Sequence, residues 1–147
     1  MRAFRRIVFP TDFSPASRPA ARKAVALAKR ERAQLIVVHV LSALPVMPGS
    51  YVSPSVWDDL ELGQRTQAAR QLRSVVAKAK TAGARASGVL IDFGVTHEQI
   101  VRYAKKRRAD LIVMGALGRS GLTRALLGSV ASRVLSAAQC PVLTVRA

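Results

Sequence analysis

A glycine-rich stretch, Gly115-Ala116-Leu117-Gly118-Arg119-Ser120-Gly121-Leu122-Thr123-Arg124-Ala125-Leu126-Leu127-Gly128-Ser129, links an apolar run to a periodic apolar segment. Gly115 and Gly118 would let the backbone turn tightly off a strand and approach a ligand without Cβ hindrance, and Gly121 adds a third permissive position. Gly128 and Ser129 would open a helix, whose unpaired N–H groups and positive dipole end suit phosphate. The Ser129 hydroxyl can donate to a phosphate oxygen, and Arg119 and Arg124 can neutralise further charge. A second loop, Pro10-Thr11-Asp12-Phe13-Ser14, sets a carboxylate directly after another apolar run. On these residues alone a plainer reading stays open, in which Gly115 only permits helix–strand packing and Ser129 only caps a helix. The stretch is neither a Walker A loop, for no Gly-Lys-Ser/Thr follows, nor a G-x-G-x-x-G fingerprint.

The elements that must position these loops alternate between strand and helix. Arg6–Pro10 reads as the first strand, followed by a helix from Ser14 to about Arg32 with small or apolar residues at Ala20, Ala21, Ala24, Val25 and Ala28. Gln34–Leu41 is continuous and apolar, as in a central strand buried on both faces, with His39 inside it as a hydrogen-bonded core histidine. Ser42 to Trp57 has no period and reads as a long loop, either a lid or a plain surface connection. A helix from Asp58 to about Ala82 carries acids at its start and bases toward its end, as the macrodipole favours, and stops at Gly83. Val89–Phe93 reads as a third strand near an edge, weakened by Gly88. Thr96 to Gln99 has the capping-box pattern, with Thr96 at the cap, Gln99 reaching back and His97 on the first-turn surface. That helix runs to about Arg108; Asp110–Gly115 is strand four, Gly128 and Ser129 open the last helix, and Pro141–Val145 is strand five. Such alternation implies parallel strands with right-handed crossovers, hence an open, doubly wound α/β sheet that takes its ligand beyond the carboxyl ends of the strands.

Composition bounds the rest. The chain has 147 residues, half of them apolar, which fits a single domain with one sizeable core. Its apolar runs are too short to span a bilayer, and the basic N-terminus lacks the cleavage pattern of a signal peptide. Cys140 is the one cysteine and the histidines number two, so neither a disulfide framework nor a zinc site is expected. Cys140 reads as a buried structural thiol, and the compartment as reducing cytoplasm. Lys and Arg total 24 against 8 acids, a net charge of +16. The charge is scattered through the helices, with Lys105–Arg108 the only tight run, and aromatic residues are sparse. Nucleic acid is therefore expected to bind only weakly and non-specifically.

The spacing Gly115-x2-Gly118-x9-Gly128-Ser129 resembles the G-2x-G-9x-G-(S/T) signature of the ATP-binding universal stress proteins. The resemblance extends to the opening RIVFPTDFS, to VVHVL in strand two, to the segment from His97 to Leu135 and to the ending CPVLTV. It implies strand order 3-2-1-4-5 with four helices and an adenine nucleotide, ATP above others, with Mg2+ bound through the phosphates. By the same resemblance Pro10, Thr11 and Asp12 border the adenosine and Val40 lines the adenine pocket. Met114 and Gly115 pass beneath the ribose and α-phosphate. Gly118, Arg119, Ser120 and Gly121 wrap the phosphates, and Gly128, Ser129, Val130 and Ala131 complete the cradle. Ala116 and Leu117 depart from the small polar residue and His common at the spacer, so a polar contact there is not expected. The resemblance further implies a homodimer through strand five and a regulatory role in stress responses, and the placement of the eight acids, away from a terminal phosphate, implies very slow ATP turnover at most. A slow ATPase or ATP-using enzyme, and a basic nucleic-acid-binding protein, are the alternatives.

Overall fold

The computed structural model describes residues 3–117 and 126–147. Strand β1 (Arg6–Pro10) leads through a 3-10 turn (Pro15–Ser17) into α1 (Arg18–Glu31). Then follow β2 (Gln34–Val40), α2 (Pro54–Thr81), β3 (Arg85–Ile91), α3 (Thr96–Lys106), β4 (Leu111–Gly115), α4 (Ser129–Ala137) and β5 (Val142–Val145). All pairings are parallel and the spatial order is β3-β2-β1-β4-β5, the architecture expected. The chain winds outward from β1 to β3 and then crosses to the other side of β1. The winding thus reverses between β1 and β4, and the switch point lies there.

Strand alternation divides the core cleanly. Ile7, Phe9, Leu35, Val37, Leu111 and Val113 face α1 and α2, whereas Val8, Ile36, Val38, Ile112 and Met114 face α3 and α4. Both sets are buried, which is why the central strands read as unbroken apolar runs. On α1 the contact stripe is Ala20, Ala24 and Ala28, all buried. Three alanines at this spacing let the helix lie close to the sheet.

Three expectations are corrected. Helix α2 begins at Pro54, not Asp58, so the preceding connection is shorter than Ser42–Trp57. Ser53 is the N-cap, its hydroxyl accepting the Val56 N–H at 3.4 Å, with Pro54 in the first turn. The Ser-Pro pair is a helix start that its loop-like surroundings concealed. Strand β3 runs Arg85–Ile91 rather than Val89–Phe93, and Gly88 sits in its middle. A Cβ on Gly88 would come within 2.9 Å of Val76 Cγ2 and 3.0 Å of Leu72 Cγ, so here glycine makes room for α2. Thr96 does not cap α3. Val95 holds that position without a side-chain bond, and the Gln99 side chain reaches back past the helix start to lie over Gly94. The two edges of the sheet are β3 and β5, as β3 was expected to be. Cys140 is half-buried against the α3–α4 core. Burial, with the charge of Asp110 adding, raises its thiol pKa, in keeping with an inert structural thiol.

Candidate functional site

At the carboxyl ends of β1, β2 and β4 a cleft of about 320 Å³ opens over the switch point. Pro10, Thr11 and Asp12 border it from the end of β1, Val40 from β2, Met114 and Gly115 from β4, and Gly128, Ser129, Val130 and Ala131 from the start of α4. Every sequence-derived candidate among the described residues therefore borders one cavity. Gly118, Arg119, Ser120 and Gly121 lie outside the described residues, as does Arg124.

The β1–α1 loop is held by its own side chains. Ser17 Oγ donates to the Ser14 carbonyl at 2.8 Å, so in its 3.1 Å pair with Thr11 Oγ1 the threonine must be the donor. Thr11 Oγ1 in turn accepts the Phe13 N–H at 3.0 Å, and Asp12 Oδ1 accepts the Ser14 N–H at 2.9 Å. These bonds hold Phe13 in the left-handed region, at φ 63°, a conformation that costs a non-glycine residue roughly 1–3 kcal/mol. Its ring stacks on His39 with centroids 4.3 Å apart. His39, which is buried, bonds through Nδ1 to the Thr11 carbonyl at 2.8 Å. A carbonyl only accepts, so Nδ1 carries the proton.

The cleft has two chemically different walls. Val38, Val40, Ile100 and Met114 make an apolar one, suited to the face of a planar base. The start of α4 makes a polar one. Gly128 is its N-cap and has no side chain to cap it, so the first-turn N–H groups point outward from its end. Gly115 closes the floor. A Cβ there would meet the Leu117 carbonyl oxygen at 3.3 Å and that of Ala16 at 3.5 Å.

Sequence reasoning missed several lining residues: Ser17, Val38, His39, Ser42, Thr96, Ile100 and Leu117. Two carried a legible signal. His39 was the one polar residue inside an otherwise apolar strand, and it is indeed hydrogen-bonded, yet it also borders the cleft. Thr96 was assigned to a cap, and instead it stands with Ile100, four residues on, against the cavity. Beyond the end of β3, Arg65 of α2 donates to Asp92 Oδ1 at 2.7 Å. That bond, with the Phe93 N–H, holds the Asp92 carboxyl below its ordinary range and fastens α2 to the end of β3.

A doubly wound parallel sheet, with a cleft at its switch point between a glycine-ended strand and a helix start, defines an α/β protein of the class in which ligands bind at the strands' carboxyl ends. The chain belongs to the universal stress protein family, whose sequence pattern matches residues 3–146. Universal stress protein MJ0531 of Methanocaldococcus jannaschii is 36% identical to it over 143 residues, 97% of this chain and 82% of that protein. The structure of universal stress protein UspA from Lactobacillus plantarum aligns with a TM-score of 0.83 at 28% identity, over 99% of this chain and 100% of the other. A universal stress protein solved in complex with cAMP aligns with a TM-score of 0.70 at 26% identity, covering 99% and 98% of the two chains.

Proposed function

We propose that the cleft binds an adenine nucleotide, with ATP the native ligand, and that the protein is a nucleotide-dependent regulatory module in stress responses. The observation that carries this reading is the pairing, within one cavity, of an apolar wall that can hold a base with a helix N-terminus that can hold phosphate. The solved relative in complex with cAMP supports the adenine class. In this reading the base lies against Val38, Val40, Ile100 and Met114, and the ribose faces the loop from Pro10 to Asp12. The phosphates run past Gly115 toward Gly128 and Ser129. Mg2+ arrives on the phosphate oxygens as their counter-ion.

The protein is read as a binder and not as an enzyme. The titratable side chains bordering the cleft are Asp12 and His39 among the described residues. Both belong to the β1–β2 side, where the base and ribose are placed, and both are tied into the β1–α1 loop. A base positioned on an attacking water would have to stand at the other end, beside the terminal phosphate. Calorimetry with ATP, GTP and cAMP, each with and without Mg2+, tests the reading. ATP should bind at least about tenfold more tightly than GTP, a difference of about 1.4 kcal/mol. Equal affinity for the two purines would remove the adenine assignment.

A further inference from the structure

Positive charge that is scattered along the sequence is gathered by the fold. Every helix runs antiparallel to the strands it connects, so α1, α2 and α3 all end at the amino edge of the sheet, opposite the cleft. Lys29, Arg30 and Arg32 end α1, Lys78 and Lys80 end α2, and the run 105–108 ends α3. Arg5, Arg6 and Arg85 join them at the starts of β1 and β3. Half of the chain's 24 Lys and Arg residues thus lie at one end, and all of these are exposed.

The groups form one belt. Arg85 Nη2 donates to the Arg32 carbonyl at 2.8 Å and Arg6 Nη1 to the Arg107 carbonyl at 3.3 Å, while Lys29 lies against Gly83 at the end of α2. From β3 to β4 the belt crosses about 15 Å by strand spacing. Two of the eight acids are at this end. Glu31 is paired with Arg30, and both the Arg5 and Arg6 N–H groups donate to Asp110 Oδ2 at 2.8 Å. The helix macrodipole accounts for a base or two in each last turn, but not for arginines at strand starts or for so few acids among them.

We propose that this end binds the phosphate backbone of duplex nucleic acid without reading its sequence. Seven of these groups are arginines, whose guanidinium forks match phosphate oxygens. Among the described residues, Leu135 in the last turn of α4 is the one large exposed apolar side chain at this end, too little for a membrane wedge. The other large exposed apolar side chains among the described residues lie in the β2–α2 connection, the first half of α2 and the cleft-side loops, with Leu143 on β5. Because the belt and the cleft occupy opposite edges, both can be occupied at once.

The test is salt-dependent binding of a short mixed-sequence DNA duplex, followed by anisotropy. Between about 50 and 200 mM salt the affinity should fall with a log–log slope of about −4 or steeper, as several neutralised phosphates require. Lys78→Gln, Lys80→Gln, Lys105→Gln and Lys106→Gln together should weaken binding at least about tenfold and flatten the slope by about 2 to 4 units. A second variant removes four charges from the helix flanks, Arg22→Gln, Lys23→Gln, Arg70→Gln and Arg73→Gln, and should retain most of the affinity. Equal losses in the two variants, or a slope near zero, would overturn the assignment of the belt. Vesicles of phosphatidylserine and phosphatidylcholine that bind more tightly than the duplex would overturn the choice of nucleic acid.

Discussion

The Gly128 N–H donates to the Ala116 carbonyl at 2.6 Å, so the exit of β4 and the entrance of α4 meet directly. Whatever path the chain takes between them, both ends of the glycine-rich stretch are brought to one side of the cleft. Gly128 itself has an ordinary backbone, φ −59° and ψ 156°, which any residue could adopt. In the proposed site its lack of a side chain leaves the helix start open to phosphate.

Substitution at this position separates folding from binding. Gly128→Val should leave the thermal midpoint close to that of the parent and remove detectable ATP binding by calorimetry. Gly115→Val should also abolish binding, with some loss of stability, because its Cβ would press on the Leu117 carbonyl. Unchanged ATP affinity in both variants would dismantle the site.

Turnover of ATP should be far slower than the common enzyme rate of ~10 per second. A steady-state phosphate-release assay measures it directly. A rate near that median, lost in Ser129→Ala, would place the protein among enzymes.

Strand β5 is an edge, four residues long, with Leu143 exposed. Its open backbone groups can be covered by a two-fold copy, and a homodimer in solution is the expected state. The Pro141 and Val145 carbonyls accept from Ile112 and Ala116 of the β4 side, so Val142 and Thr144 hold the outward donors, and Thr144→Pro should shift the mass measured by light scattering toward the monomer. A monomeric parent protein at micromolar concentration would exclude this arrangement.

Gly88 supplies a control remote from the site. Gly88→Ala forces a methyl into the space held by Val76 and Leu72, an overpacking expected to cost about 1–3 kcal/mol. Urea unfolding should show that loss, while ATP affinity stays at the parent value. A neutral or stabilising outcome would mean that α2 shifts away from β3 easily.

What the sequence determined by itself was the order and type of the elements, because apolar runs, helical periods and glycine or proline breaks are local signals. It also marked the residues at strand ends and at the α4 start that later proved to share one cavity. Its errors fell where two local signals competed. Ser53-Pro54 was hidden in a loop-like composition, and Gly88 was taken as a weak point when it is a packing contact with α2. Tertiary structure alone decided which distant residues meet. His39 reaches the cleft because β2 lies beside β1 and the Thr11 carbonyl is 2.8 Å away, a relation that no spacing along the chain encodes. The basic end arose in the same way. Each helix ending in Lys or Arg reads locally as a match to its own macrodipole, and only parallel strands with antiparallel crossovers bring three such ends to one edge, where like charges separated in sequence act as a single field.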